Sequence, residues 1–223
     1  MTSPRPTPTD RRVRLLGTPV DACPALVPEA GRGRVRRITE AGEEVLHHPG
    51  RPVEEFGTPE LARLVDDMFR TTYAARGVGL AAHQIGVALR VFVHDCPDDD
   101  GVRHVGHLAD PVLDEAPGPR RRTEADEGRL SVPGPRRALA RPDRATARGS
   151  DLHGNPLTPT GTGYFARCLQ HETDHLDGLL YVDRFGKRER RAVLAESAER
   201  RESVLAARAE RAAALDSYAF EAD

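Results

Sequence analysis

Apolar residues recur at helical spacing over Leu61, Leu64, Val65, Met68, Phe69 and Tyr73 and predict a helix over 59–76. Thr58-Pro59-Glu60 marks its start: a hydroxyl that can cap, a proline suited to the first helical position, and an acid at the positive helix end. Gly77 is the expected stop. A second helix is expected to open at Thr162 or Gly163, with Phe165, Cys168, Leu169 and Leu176 on its apolar side and Gly178 as its end. A third spans about 187–215, with Val193, Leu194, Val204, Leu205 and Leu215 as apolar contacts and a charge run that reads as a solvated face.

Arg90–His94 has the make-up of a strand, and the run Asp98-Asp99-Asp100-Gly101 is a turn. Its three acids lack the ligand pattern of a calcium loop. Short strands broken by Pro and Gly are expected near 104–108, 111–115, 136–140, 144–151 and 156–160. Residues 1–40 are rich in Pro, Arg and Gly and read as a mobile or loosely packed extension. The chain thus divides into this extension, a domain over 41–186, and a C-terminal amphipathic helix and tail over 187–223. The fold class is α+β: mostly antiparallel short strands around a central helix, with one helix before it and one after.

Composition narrows the function classes. The 223 residues hold enough chain for one core plus extensions, and the formal net charge of −2 offers no global attraction for nucleic acid or anionic membranes. Specific DNA binding and membrane partnership are not expected. No window approaches the roughly 20 apolar residues of a membrane span, and the N-terminus lacks a signal peptide's apolar stretch. A cytoplasmic protein is the expectation. Cys23, Cys96 and Cys168 form neither a disulfide framework nor a paired-cysteine metal knuckle.

The chemistry concentrates in His171-Glu172-Thr173-Asp174-His175, an HExxH sequence on the second helix. Residues four apart share a helix face, so both imidazoles can converge on one cation while Glu172 stands beside its bound water. The central helix is therefore expected to bind metal. Upstream, Gly77–Gln84 (GVGLAAHQ) carries two glycines and two alanines beside Leu80, little bulk for an approaching backbone or ligand to meet.

GVGLAAHQ, then EGRLSVPG at 127–134, then HETDHLDG at 171–178, in this order and at these separations, resemble the peptide deformylase family. The similarity runs from about Glu44 to about Phe185. It implies hydrolysis of the formyl amide on the initiating methionine of new polypeptides, with Fe2+, or Zn2+, Ni2+ or Co2+, as the metal. By the same resemblance His171 and His175 are metal ligands and Glu172 is the proton-transfer group. The Gln84 amide and the Leu130 backbone N–H would hold the developing oxyanion. Gly79 and Leu80, with Ala81 and Ala82, would let the peptide backbone lie close. Formyl-methionyl peptides or nascent chains are the implied partners, near the ribosome exit.

One position departs. The family has EGCLS, whose thiolate is the third ligand; here that position is Arg129, which has no lone pair to donate. Three outcomes are open: Cys168 or His83 completes the site, Arg129 pairs with Glu172, or metal binds weakly through two histidines. A catalytically weak or inactive paralogue that binds peptide N-termini or ribosomes is the alternative function, the latter through Arg32, Arg34, Arg36 and Arg37. A zincin-type peptidase would draw on Tyr181 or Glu196 as the third ligand.

Overall fold

The computed structural model describes residues 12–114 and 121–217. Its elements are β1 (Val13–Leu15), β2 (Thr18–Val20), α1 (Pro28–Arg32), α2 (Pro59–Ala74), β3 (Gly79–Ala81), β4 (Val91–Pro97), β5 (Arg103–Leu113), β6 (Arg122–Arg129) and β7 (Val132–Pro142). β8 (Arg144–Ser150), β9 (Pro156–Leu157), β10 (Thr160–Thr162), α3 (Gly163–Leu176) and α4 (Lys187–Asp216) follow. The strands form an eight-stranded sheet and a separate β6–β7 ribbon. Every pairing is antiparallel except β1 with β5. The expected α+β class, with its central helix, is what forms.

β4 explains the two-layered core. Val91 and Val93 face the cluster under α2, which also holds Val65, Met68 and Phe69. Phe92 and Cys96 face the opposite cluster with Phe165, Leu169 and Leu176 of α3. Successive strand residues point to opposite faces, so a strand covered by helices on both sides reads as a continuous apolar run. Each fully buried Phe or Leu contributes roughly 1.5–3 kcal/mol. α3 is thereby fixed as the central helix, with its polar residues also largely buried.

The helix over 59–76 ends sooner than expected. Thr58 Oγ accepts from Leu61 N–H at 3.2 Å, as the start signal implies. The left-handed terminating residue is Arg76 (φ 53°), not Gly77, whose N–H bonds Thr72 O at 2.9 Å. Gly77 serves another purpose: a Cβ there would lie 3.0 Å from Leu130 Cδ1.

Loose packing is not what residues 12–40 show. β1 pairs with β2 and β5, and Val27 and Ala30 are buried against α2. Few apolar residues suffice because polar anchors hold the segment: Arg32 and Arg36 pair with Asp66 and Asp67 on α2. Residues 1–11, and 218–223 of the expected tail, lie outside the described residues, as does Glu115 of the strand expected at 111–115. The strands expected at 104–108 and 111–115 are one strand, β5, with a register irregularity between Ala109 and Val112. β6 was not expected; its sequence, RTEADEGR, lacks apolar alternation because the ribbon is exposed along much of its length. Among the described residues no helix is long and apolar enough to cross a membrane.

Candidate active site

α3 presents His171 and His175 one turn apart, with ring centroids separated by 5.4 Å and ring planes at 69°. His171 Nδ1 lies 3.0 Å from Glu127 Oε2. Burial pushes the Glu127 carboxyl up, but hydrogen bonds from His171 and Arg141 outweigh it and hold it well below the usual carboxylate range. An ionised carboxylate only accepts, so His171 Nδ1 carries the proton and its Nε2 keeps the lone pair. Desolvation, reinforced by Arg129, lowers His171 to about 4 and His175 well below its ordinary value. Both rings are neutral at pH 7. His175 is fully buried, and among the described residues neither of its nitrogens has a hydrogen-bond partner.

Glu172 turns toward β3. A Cβ on Gly79 would stand 2.5 Å from Glu172 Oε1 and 3.0 Å from Cys168 Sγ, so this close seating requires glycine. Burial raises the Glu172 pKa to about 8 despite the opposing charge of Arg129. Gln84 accepts from Ala81 N–H at 2.9 Å and reaches Ser131 Oγ through its Nε2 at 3.4 Å. This ties the glycine-rich segment to the strand turn carrying Leu130. A cavity of about 260 Å³ opens among Gly79, Gln84, Leu130, Cys168, His171 and Glu172. Leu80 does not line this cavity; its side chain packs in the core under α2.

Arg129 ends β6 at a register shift and has a fully buried side chain. Its Nη1 donates to Leu179 O at 3.3 Å, Nη2 lies 3.8 Å from Asp174 Oδ2, and the guanidinium sits 5.6 Å from the centre of the Tyr181 ring. Nε and Nη2 lack a hydrogen-bond partner among the described residues. Burial lowers its pKa to about 10, which still leaves it charged at neutral pH. The pairing with Glu172 does not form; Asp174, one helical turn from Gln170 and already bound by Arg141 and Arg184, is the partner.

Neither alternative third ligand is in place. Cys168 Sγ contacts Val78 O at 3.8 Å, and His83 packs on Gly50, where a Cβ would meet His83 Cε1 at 2.5 Å. Tyr181 OH donates to Pro135 O at 3.2 Å, and Glu196 is held by Arg137 and Arg200, so the peptidase ligand set is not assembled. Among the described residues no group of three or more His, Cys, Asp or Glu side chains gathers as a metal site. The two lone pairs of His171 and His175 suit a divalent ion; the third position does not. A buried guanidinium replaces a negative donor with a positive charge, and its repulsion of a divalent ion at a few ångströms is on the order of several kcal/mol at an effective dielectric near ~20. The residues present do not fit a stable metal centre.

Sequence reasoning assigned no role to Glu127 or Asp174, although both stand inside the motifs EGRLS and HETDH. Glu127 is bound by Arg141, Arg167 and His171, and Asp174 by Arg141 and Arg184. Their signal is an acid at a position that α3 or the β6–β7 ribbon must bury. It becomes visible only once the partners, far apart in sequence, are brought together.

The family profile described as polypeptide deformylase matches residues 35–191. Peptide deformylase 1 of Streptomyces avermitilis is 56% identical over 169 residues, covering 75% of this chain and 78% of that protein. The crystal structure of a peptide deformylase from Legionella pneumophila superposes with a TM-score of 0.67 at 37% identity, over 75% of this chain and 96% of the other. That of the Ehrlichia chaffeensis enzyme in complex with actinonin gives 0.69 at 31% identity, over 75% and 98%. With the histidine pair, the glycine-seated glutamate and the glutamine segment in place, the chain belongs to the peptide deformylase family.

Proposed function

We propose that this chain binds the formyl-methionyl N-terminus of peptides or nascent chains in the deformylase cavity, and that Arg129 suppresses its hydrolysis of them. The observation that carries this reading is the buried guanidinium at the third-ligand position, beside an otherwise retained pocket. In this reading the formyl oxygen accepts hydrogen bonds from Gln84 Nε2 and Leu130 N–H, and Glu172 faces the formyl amide from the other side. The methionine side chain fills the space between Gly79 and Leu130, and His171 lies on the cavity wall. Hydrolysis needs an activated water; two neutral imidazoles beside a fixed cation supply none efficiently.

Peptide ends are favoured over ribosomal RNA because three arginines of the N-terminal cluster are already engaged. Arg32 pairs with Asp66 at 3.1 Å, Arg36 with Asp67 at 3.0 Å and Arg37 with Glu43 at 2.7 Å. Cytoplasmic localisation accords with a role on new polypeptides.

The test is purification under anaerobic conditions with ferrous iron or nickel, followed by metal analysis, formate release and binding of a formyl-Met tripeptide. The parent is expected to bind the peptide, retain little metal and release formate slowly. Full metal occupancy and turnover matching an Arg129→Cys variant would refute suppression by Arg129; absence of peptide binding would refute the assignment of the pocket.

A further inference from the structure

Among the residues that line the cavity, Arg208 lies beyond those matched by the family profile. The distal half of α4 docks on α2, where Arg211 Nε donates to Ala74 O at 2.8 Å and Asp216 pairs with Arg70 at 2.7 Å. This docking carries Arg208 to the cavity, where its Nη2 donates to Leu130 O at 2.8 Å. Its Nε and Nη1 are buried and, among the described residues, have no hydrogen-bond partner. The end-on pair of a guanidinium, here Nη1 with the second hydrogen of Nη2, matches a carboxylate, which accepts two parallel N–H bonds.

The surrounding charge points the same way. Glu40, the carboxylate that acts on Arg208, is held by Arg201 through contacts of 2.7 and 2.8 Å, while Arg211 adds positive charge nearby. Arg76 and Arg136 also line the cavity. Of the acids on its wall, Glu127 is committed to Arg141 and Arg167, burial favours the uncharged form of Glu172, and Asp126 is exposed. The opening therefore carries Arg76, Arg136 and Arg208 against one exposed acid, Asp126.

We infer that Arg208 is a specificity-determining residue that selects peptide ligands carrying a carboxylate, an Asp or Glu side chain, within the few residues after the first. This rests on the peptide-binding reading above. The geometry has a second consequence: by gripping Leu130 O, Arg208 couples ligand recognition to the turn whose N–H is proposed to meet the formyl oxygen.

The experiment compares formyl-Met-Asp-Ala, formyl-Met-Ala-Ala and formyl-Met-Lys-Ala binding to the full chain by calorimetry. The expected ratio of acidic to neutral affinity is about tenfold at low salt, shrinking as salt rises. In Arg208→Gln the ratio falls to about one, and in Arg208→Glu the preference turns toward the Lys peptide. Circular dichroism verifies that each variant folds; the salt dependence of the parent's ratio provides a readout that needs no variant. A parent ratio near one, a ratio indifferent to salt, or a ratio unchanged in Arg208→Gln overturns the inference while leaving peptide binding intact. Failure of all three peptides to bind overturns the peptide-binding reading and this inference with it.

Discussion

Arg129 Nη2 and Asp174 Oδ2 stand 3.8 Å apart in the interior, and this pair stands where the family resemblance implied a thiolate meeting a metal. The contact is long, and Asp174 has two closer partners: Arg184 at 2.6 Å and Arg141 at 2.9 Å. Arg129 therefore depends on Asp174 more than Asp174 depends on Arg129.

That asymmetry predicts opposite stability effects. Arg129→Met removes a desolvated charge with two idle nitrogens and leaves Asp174 satisfied; chemical denaturation should show a gain of about 1–3 kcal/mol. Asp174→Ala strands Arg129 and takes one of two acidic partners from Arg141, which keeps Glu127, and should lose about 3–5 kcal/mol. A clear loss in Arg129→Met would show that the guanidinium holds the site together.

Arg129→Cys should restore a donor for a divalent ion. Metal retained after desalting is expected to rise at least about tenfold over the parent, and formate release by orders of magnitude. Nickel should raise the melting temperature of the variant and not of the parent, and a chelator should reverse only the former. Equal metal retention by the two proteins would mean that His171 and His175 do not frame the site.

Gly79→Ala tests how Glu172 is seated. The added Cβ would fall 2.5 Å from Glu172 Oε1, too close for both to keep their places. Displacement of Glu172 should abolish most of the formate release gained in the Arg129→Cys background. Undiminished turnover in the double variant would remove Glu172 from proton transfer.

A pH effect should arise on the strand beside the cavity, where His94 is the register partner of Gly79. His94 is buried, its Nδ1–H bonded to His104 O at 3.1 Å, and burial lowers its pKa to about 4. The folded state holds it neutral, whereas the unfolded chain protonates it near ~6.5. Its contribution is thus fully present above the unfolded value and is lost as pH falls from there toward 4. Between pH 7 and pH 5 the parent should lose roughly 2 kcal/mol more unfolding free energy than His94→Gln. Parallel pH profiles for the two proteins would exclude this linkage.

Much of this protein is legible along the chain because the signals are local. Thr58-Pro59 starts α2, Gly178 (φ 76°) follows α3, and the spacing of His171 and His175 puts both on one helical face. Less legible were β6, whose exposure erases alternation, and the packing of residues 12–40, which rests on arginine–aspartate pairs rather than on an apolar pattern. The sequence by itself also determined that a guanidinium stands where the family carries a thiolate. Only the tertiary structure decided what that charge meets: Asp174 rather than Glu172. It likewise decided that Arg208, 79 residues beyond Arg129 in sequence, reaches the same cavity. Helical periodicity is set by neighbouring residues and can be read from them. The partner of a buried charge is set by which distant elements pack together, and no local pattern records it.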